Sequence, residues 1–249
     1  MAQYKTSNPA LGSSTFDNLS YSKDSNDIMT LNGTVNKTAI LLALVMLPAF
    51  GVWNMFYSGN IGWITPLLWT GLIGGLVCSL VLVFKKEWAP ILAPVYAILE
   101  GLFVGAISAV YNSLYEGIVM QALLLTFGIL AGLLFLYKTR VIKVTENFKL
   151  IVASATIGIG ITYMISMVLR LFGMEVPLIH SNGIVGIGFS LICVATAAAN
   201  LVMDFDFIED GANRQAPKYM EWYSAFGLMV TLIWLYIELL RLLSKLRSR

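Results

Sequence analysis

Four carboxylates, Asp204, Asp206, Glu209 and Asp210, crowd the point where a long apolar run gives way to a short polar connection. An ionised carboxylate against hydrocarbon is unfavourable unless water, a cation or a proton compensates it. Two that share a site repel each other, so the pair is suited to sharing a proton or holding a divalent cation. Oxygen-only ligation favours calcium or magnesium over zinc. Asp204 and Asp206 directly abut the apolar run and are the candidate pair, with calcium the expected ion and no other cofactor expected. Glu209 and Asp210 read as loop acids sitting in water.

More polar groups line up on either side. Ser190, Cys193, Thr196, Asn200 and Asp204 recur every three or four residues, which puts them on one helical stripe. Asp206 points nearly the opposite way on a continuous helix, so both aspartates face inward only if the helix ends near Asp204. The alternation of Phe205 and Phe207, with Gly211 soon after, favours such an ending. Glu221, Ser224, Gly227, Thr231 and Glu238 form a matching stripe downstream. One short connection joins the two, so they are expected to face each other, with Glu221 at the depth of Asp204. Glu238 then lies near the opposite boundary, about 25 Å away at 1.5 Å per residue, where Arg241 could pair with it. Glu100 stands near the middle of another apolar run, with no Lys or Arg at the same depth elsewhere. Left ionised and alone it would cost at least ~3 kcal/mol, so it is expected to be protonated, hydrogen-bonded, or in contact with water or a cation. Asp204, Asp206, Glu221, Glu100 and Asn200 are therefore the candidate ion or proton path.

The elements that must hold these groups are membrane spans. The chain has 249 residues, of which 58% are hydrophobic and 12% charged, against about 25% charged in a soluble domain. Seven apolar segments are expected at about 35–57, 62–84, 89–111, 117–137, 149–172, 183–203 (able to extend to 208) and 220–243. Gly71 and Gly75, Gly101 and Gly105, and Gly158 and Gly160 predict close helix approach. The fold class is an all-α membrane protein, a seven-helix transmembrane bundle, with 1–34 a disordered tail and 35–249 the membrane domain.

Charge sets the expected orientation. Lys85, Lys86, Lys138, Arg140, Lys143, Arg214 and Lys218 fall in the second, fourth and sixth connections, while the first, third and fifth hold no Lys or Arg. The N-terminus and the acidic corner should then be cytoplasmic. Seven crossings put the C-terminus outside, although it carries Arg241, Lys245, Arg247 and Arg249; Arg241 and Lys245 could snorkel there. A re-entrant sixth or seventh segment would return the tail inside. No apolar core follows a basic start at the N-terminus, so the first span is expected to act as an uncleaved insertion signal. Cys78 and Cys193 lie in apolar segments and read as buried thiols, and the single histidine, His180, excludes a histidine-rich metal site.

Phosphate loops, zinc-protease helices, serine elbows and the paired motifs of intramembrane aspartyl proteases are absent, so no enzyme is expected. Basic patches interleaved with aromatics are also absent, so nucleic acid is not an expected partner. The lipid bilayer is, with calcium and another membrane protein as further candidates.

The NPAL at 8–11, the EGLFVGAIS at 100–108, the acidic MDFDFIED segment and the block from 209 to 243 ending in Leu-Leu-Arg-Leu-Leu resemble the transmembrane Bax-inhibitor family, in a bacterial branch of it. The resemblance implies a bacterial inner-membrane location and a bundle whose seventh helix is central, ringed by the other six. It also implies a pH-sensitive calcium leak sensed by two aspartates, one ending the sixth helix and one on the seventh. Asp206 matches the first, but Val230 stands at the second position. The second span also has no intramembrane Arg to latch the aspartate, so the sensor would have to use Asp204, Glu221 or Glu100 instead. A second implied role is a non-transporting regulator, for example of a membrane-bound ATP-dependent protease or a stress response, acting through the N-terminal tail and cytoplasmic connections.

Overall fold

The computed structural model describes residues 27–173 and 183–248, so most of the N-terminal tail and His180 lie outside the described residues. Seven long helices account for nearly all of it: α1 (Leu31–Tyr57), α2 (Ile64–Phe84), α3 (Ala89–Leu114), α4 (Ile118–Lys138), α5 (Glu146–Leu171), α6 (Ile184–Asn213) and α7 (Met220–Arg247). All seven are long and apolar enough to cross a membrane. Short 3₁₀ turns, Ile61–Trp63 and Lys86–Trp88, lead into α2 and α3. Thr30 caps α1 by accepting the Gly33 N–H, and Thr145 caps α5 by accepting that of Phe148.

Burial ranks the helices. In α7, 72% of the most apolar window is buried, against 44% in α3, 39% in α6 and 17% in each of the other four. The last helix is thus the axis of the bundle, as the resemblance implied. Its Met220, Tyr223, Phe226, Met229, Leu235 and Leu240 are fully buried. The outer helices instead turn Leu47, Phe50, Phe84, Phe135 and Met164 outward, the side chains that hydrocarbon would cover.

Lipid is as apolar as leucine, so helices in a bilayer associate through close packing at small residues. That device joins α1, α2 and α3. A Cβ on Gly101 would strike the Val45 carbonyl and Pro48 of α1, one on Gly105 would lie 2.6 Å from the Ala49 carbonyl oxygen, and one on Gly71 would lie 2.5 Å from that of Leu99. Gly158 and Gly160 do not do this: among the described residues nothing would lie within 4 Å of a Cβ on either, because that stretch of α5 faces outward.

Two boundaries differ from expectation. Helix α1 begins at Leu31, and residues ahead of it are already docked: Met29 donates its N–H to the Ala216 carbonyl at 2.7 Å, and Lys218 donates to that of Asp27 at 2.8 Å. Ile28 and Pro217 form an antiparallel bridge between these segments. Helix α6 does not end near Asp204 but runs on to Asn213, and the chain turns only at Gln215, with φ 56°. The acidic corner is therefore the last three turns of a helix, not a loop.

Candidate functional site

The helix that continues past Asp204 decides the geometry of the corner. At 3.6 residues per turn, Asp204 and Asp206 diverge by roughly 200°. Asp204 is 1% exposed and faces the bundle interior. Asp206 is 30% exposed and pairs with Lys149 of α5 at 3.2 Å. The expected sharing of one site by these two acids depended on a helix end that is not there. Among the described residues, no three His, Cys, Asp or Glu side chains come together as metal ligands.

Each other acid of the corner is tied to a different neighbour. Glu209 accepts the Tyr137 hydroxyl of α4 at 2.5 Å and the Arg140 guanidinium of the following connection at 2.5 Å. Glu209 was expected to sit in water, and instead it fastens α4 to α6. Its carboxylate holds the Arg140 guanidinium above its ordinary pKa through that hydrogen bond and its charge. Arg140 is therefore a constant cation, and protons act on this pair through Glu209. Asp210 pairs with Arg214 one turn on, at 2.9 Å.

Glu221 has the most elaborate seat. It is fully buried and accepts both the Thr30 N–H and the Thr30 hydroxyl, each at 2.9 Å. Lys37 of α1 pairs with it directly, and Lys218 stands 3.9 Å away. A side chain on Gly33 would collide with this carboxylate, so glycine there gives it room. Glu221 lies at the start of α7 as expected, and its partners Thr30 and Lys37 belong to the start of α1.

Both polar stripes are buried as their spacing predicted. On α6, Ser190, Cys193, Thr196, Asn200 and Asp204 are between 0% and 7% exposed; on α7, Glu221, Ser224, Thr231 and Glu238 are between 0% and 3%. The two helices pack along each other. Asn200 donates to the Thr156 hydroxyl of α5 at 2.8 Å and to its own helix at the Thr196 carbonyl at 2.9 Å. The Ser224 hydroxyl is buried with no hydrogen-bond partner among the described residues. Glu100 lies apart from this seam, on α3, where Tyr96 hydrogen-bonds to it. There a Cβ on Gly75 of α2 would come within 3.0 Å of its carboxylate.

The opposite end of the seam is closed by cations. Glu238 accepts the Tyr163 hydroxyl of α5 at 3.0 Å and pairs with Arg241 at 3.0 Å, as the spacing of three residues suggested. Arg241 also bonds to the Tyr163 hydroxyl, which in turn reaches the Cys193 Sγ at 3.6 Å. Lys245 is buried and donates to the Gly186 carbonyl and the Ser190 hydroxyl, each at 2.9 Å. Arg241 and Lys245 thus turn inward to partners instead of snorkelling outward.

Sequence reasoning found the two stripes and the Glu238–Arg241 pair. It missed Lys149, Tyr163, Tyr137 and Lys37 as partners. One signal was available for Lys149, a lone cation at the edge of an apolar segment. Nothing in the spacing marks Tyr163 or Tyr137.

No curated protein and no solved structure matches the chain. A family model described as Bax inhibitor 1 like matches residues 8–248, nearly the whole chain and all seven helices. With that match, the acidic end of α6 and the central seventh helix, this multi-pass membrane protein belongs to the Bax inhibitor 1 like family.

Proposed function

We propose that this chain is a pH-modulated cation leak, with calcium the expected ion, and that the path follows the seam between α6 and α7. One observation carries the reading: the seam is lined by buried polar groups from Asp204 and Ser224 to Glu238, with the Ser224 hydroxyl unpartnered among the described residues. Polar and ionisable groups inside a membrane bundle are costly and by default mark ion or proton routes. A buried hydroxyl without a protein partner is one that water or a cation satisfies.

The pH dependence follows from how the corner is tied. Asp206 to Lys149, Glu209 to Arg140 and Glu221 to Lys37 join α6 and α7 to α5, to the connection after α4, and to α1. Lys149 takes the place of the latching cation that the second span lacks. Protonating these carboxylates removes the attraction, and a closed arrangement favoured by a few kcal/mol gives way to an open one. The leak should therefore rise as pH falls. The direct measurement is calcium flux into liposomes carrying the purified protein, at neutral and acid pH. The Asp204→Asn, Asp206→Asn double variant removes one of these three pairs and should weaken the pH dependence, and an unchanged pH profile would remove the hypothesis.

A second reading, a non-transporting regulator of another membrane protein, draws on the docking of Asp27 and Met29 against the α6–α7 connection. Removing residues 1–26 separates the two. Lost partner binding with intact flux favours regulation, and the reverse favours the leak.

A further inference from the structure

The half of the bundle towards Glu238 carries a cleft that no part of the leak reading uses. Helices α1 and α4 both rest on α7 but make at most marginal contact with each other. Between them opens a space of about 310 Å³. Met46 and Phe50 of α1 and Leu123 and Phe127 of α4 line its walls, and Ser108 of α3 and Tyr236 of α7 lie in its floor. Met46, Phe50 and Phe127 are exposed, so the cleft opens on the outer, apolar face of the bundle. Its lining runs from the middle of α1, α3 and α7 towards one end, the depth of a single leaflet.

The hydroxyls of this cleft are already engaged. Ser108 and Tyr236 bond to each other at 2.7 Å, and Thr126 donates to the Ala122 carbonyl at 2.8 Å. What remains is apolar surface, which offers an occupant shape and dispersion and no polar recognition. Water needs two or more polar partners to stay in such a space. Leaving it empty would forfeit the contacts of every side chain around it. In the bilayer that the seven apolar spans imply, the medium at its mouth is hydrocarbon. The geometry points to a binding site for one acyl chain of a bilayer phospholipid, seated between α1 and α4 against the Ser108–Tyr236 pair.

Native mass spectrometry of the full-length protein with dioleoylphosphatidylglycerol tests this without any flux measurement, so its outcome is independent of the leak. The wild type should keep one lipid under activation that strips the rest. Leu123→Trp, which fills the cleft, should lower that occupancy by about tenfold, equivalent to ~1.4 kcal/mol of binding. Ile161→Trp, on the exposed face of α5, should leave it unchanged. If Leu123→Trp does not fold, Met46→Trp at the exposed rim decides in its place. Equal retention by wild type and the cleft variant, or no retained lipid in the wild type, overturns the assignment. So does a protein dimer that the cleft variant dissociates, because the occupant would then be a second copy.

Discussion

Glu221 shows that the two halves of a buried ion pair are not equivalent. The carboxylate is fully buried, whereas Lys37 is 17% exposed and can reach solvent along its stem. Replacing Lys37 by Met leaves the charge of Glu221 inside the protein with only the two Thr30 donors and a distant Lys218. Breaking a buried pair in that way costs about 3–5 kcal/mol. Glu221→Gln removes the charge itself and keeps an acceptor for Thr30, so it should cost about 1–2 kcal/mol, the scale of altered hydrogen bonds. Lys37→Met should therefore melt at a lower temperature than Glu221→Gln. Thermal unfolding in detergent, followed with a thiol-reactive dye at the buried Cys193, gives both midpoints, with the half-buried Cys78 replaced by Ala. Equal midpoints would mean that Lys37 does not neutralise this carboxylate.

At the scale of elements, the same carboxylate makes the first turn of α1 and the first turn of α7 one structural unit. Gly33 is the narrowest part of that joint. Gly33→Ala favours the helix by propensity, by about 1 kcal/mol, yet its methyl group occupies space already held by the Glu221 carboxylate. Overpacking of that kind costs about 1–3 kcal/mol, so the net change should be destabilising. Proteolysis of the α1 start should speed up with it, while Gly51→Ala, where nothing lies within 4 Å, should not show this. Stabilisation by Gly33→Ala would disprove the joint. The seven spans and both stripes were legible in the sequence because they depend on local periodicity, and Ser190 to Asp204 and Glu221 to Glu238 are spaced at helical intervals. The end of α6 was misplaced because the partners of Asp206 and Glu209 come from elsewhere: Lys149, Tyr137 and Arg140 belong to other segments. Choice of partner is a tertiary property, and no spacing within α6 contains it.

For the molecule as a whole, seven crossings put the basic C-terminal residues on the side away from the other basic connections. The positive-inside rule weighs cations that flank a span and remain available to the membrane surface. Those of α7 are engaged with the bundle. Arg241 belongs to Glu238 and Tyr163, Lys245 to the start of α6, and Arg247 donates to the Glu116 carbonyl and to the Gln121 Oε1 at 3.0 Å. These contacts form only when α7 has threaded the centre with its last turn level with the start of α4 and of α6. Arg241, Lys245 and Arg247 thus have partners within the bundle, as seven crossings would require of cations at the far end of α7. Substituted cysteines at three exposed positions test this: Asn60→Cys after α1, Lys143→Cys after α4 and Ser248→Cys after α7. A membrane-impermeant maleimide applied to intact cells should label the first and third and spare the second, which reacts only after permeabilisation. Labelling of positions 143 and 248 from the same side would mean that α7 does not complete its crossing, and the seam between α6 and α7 would then lose its far end.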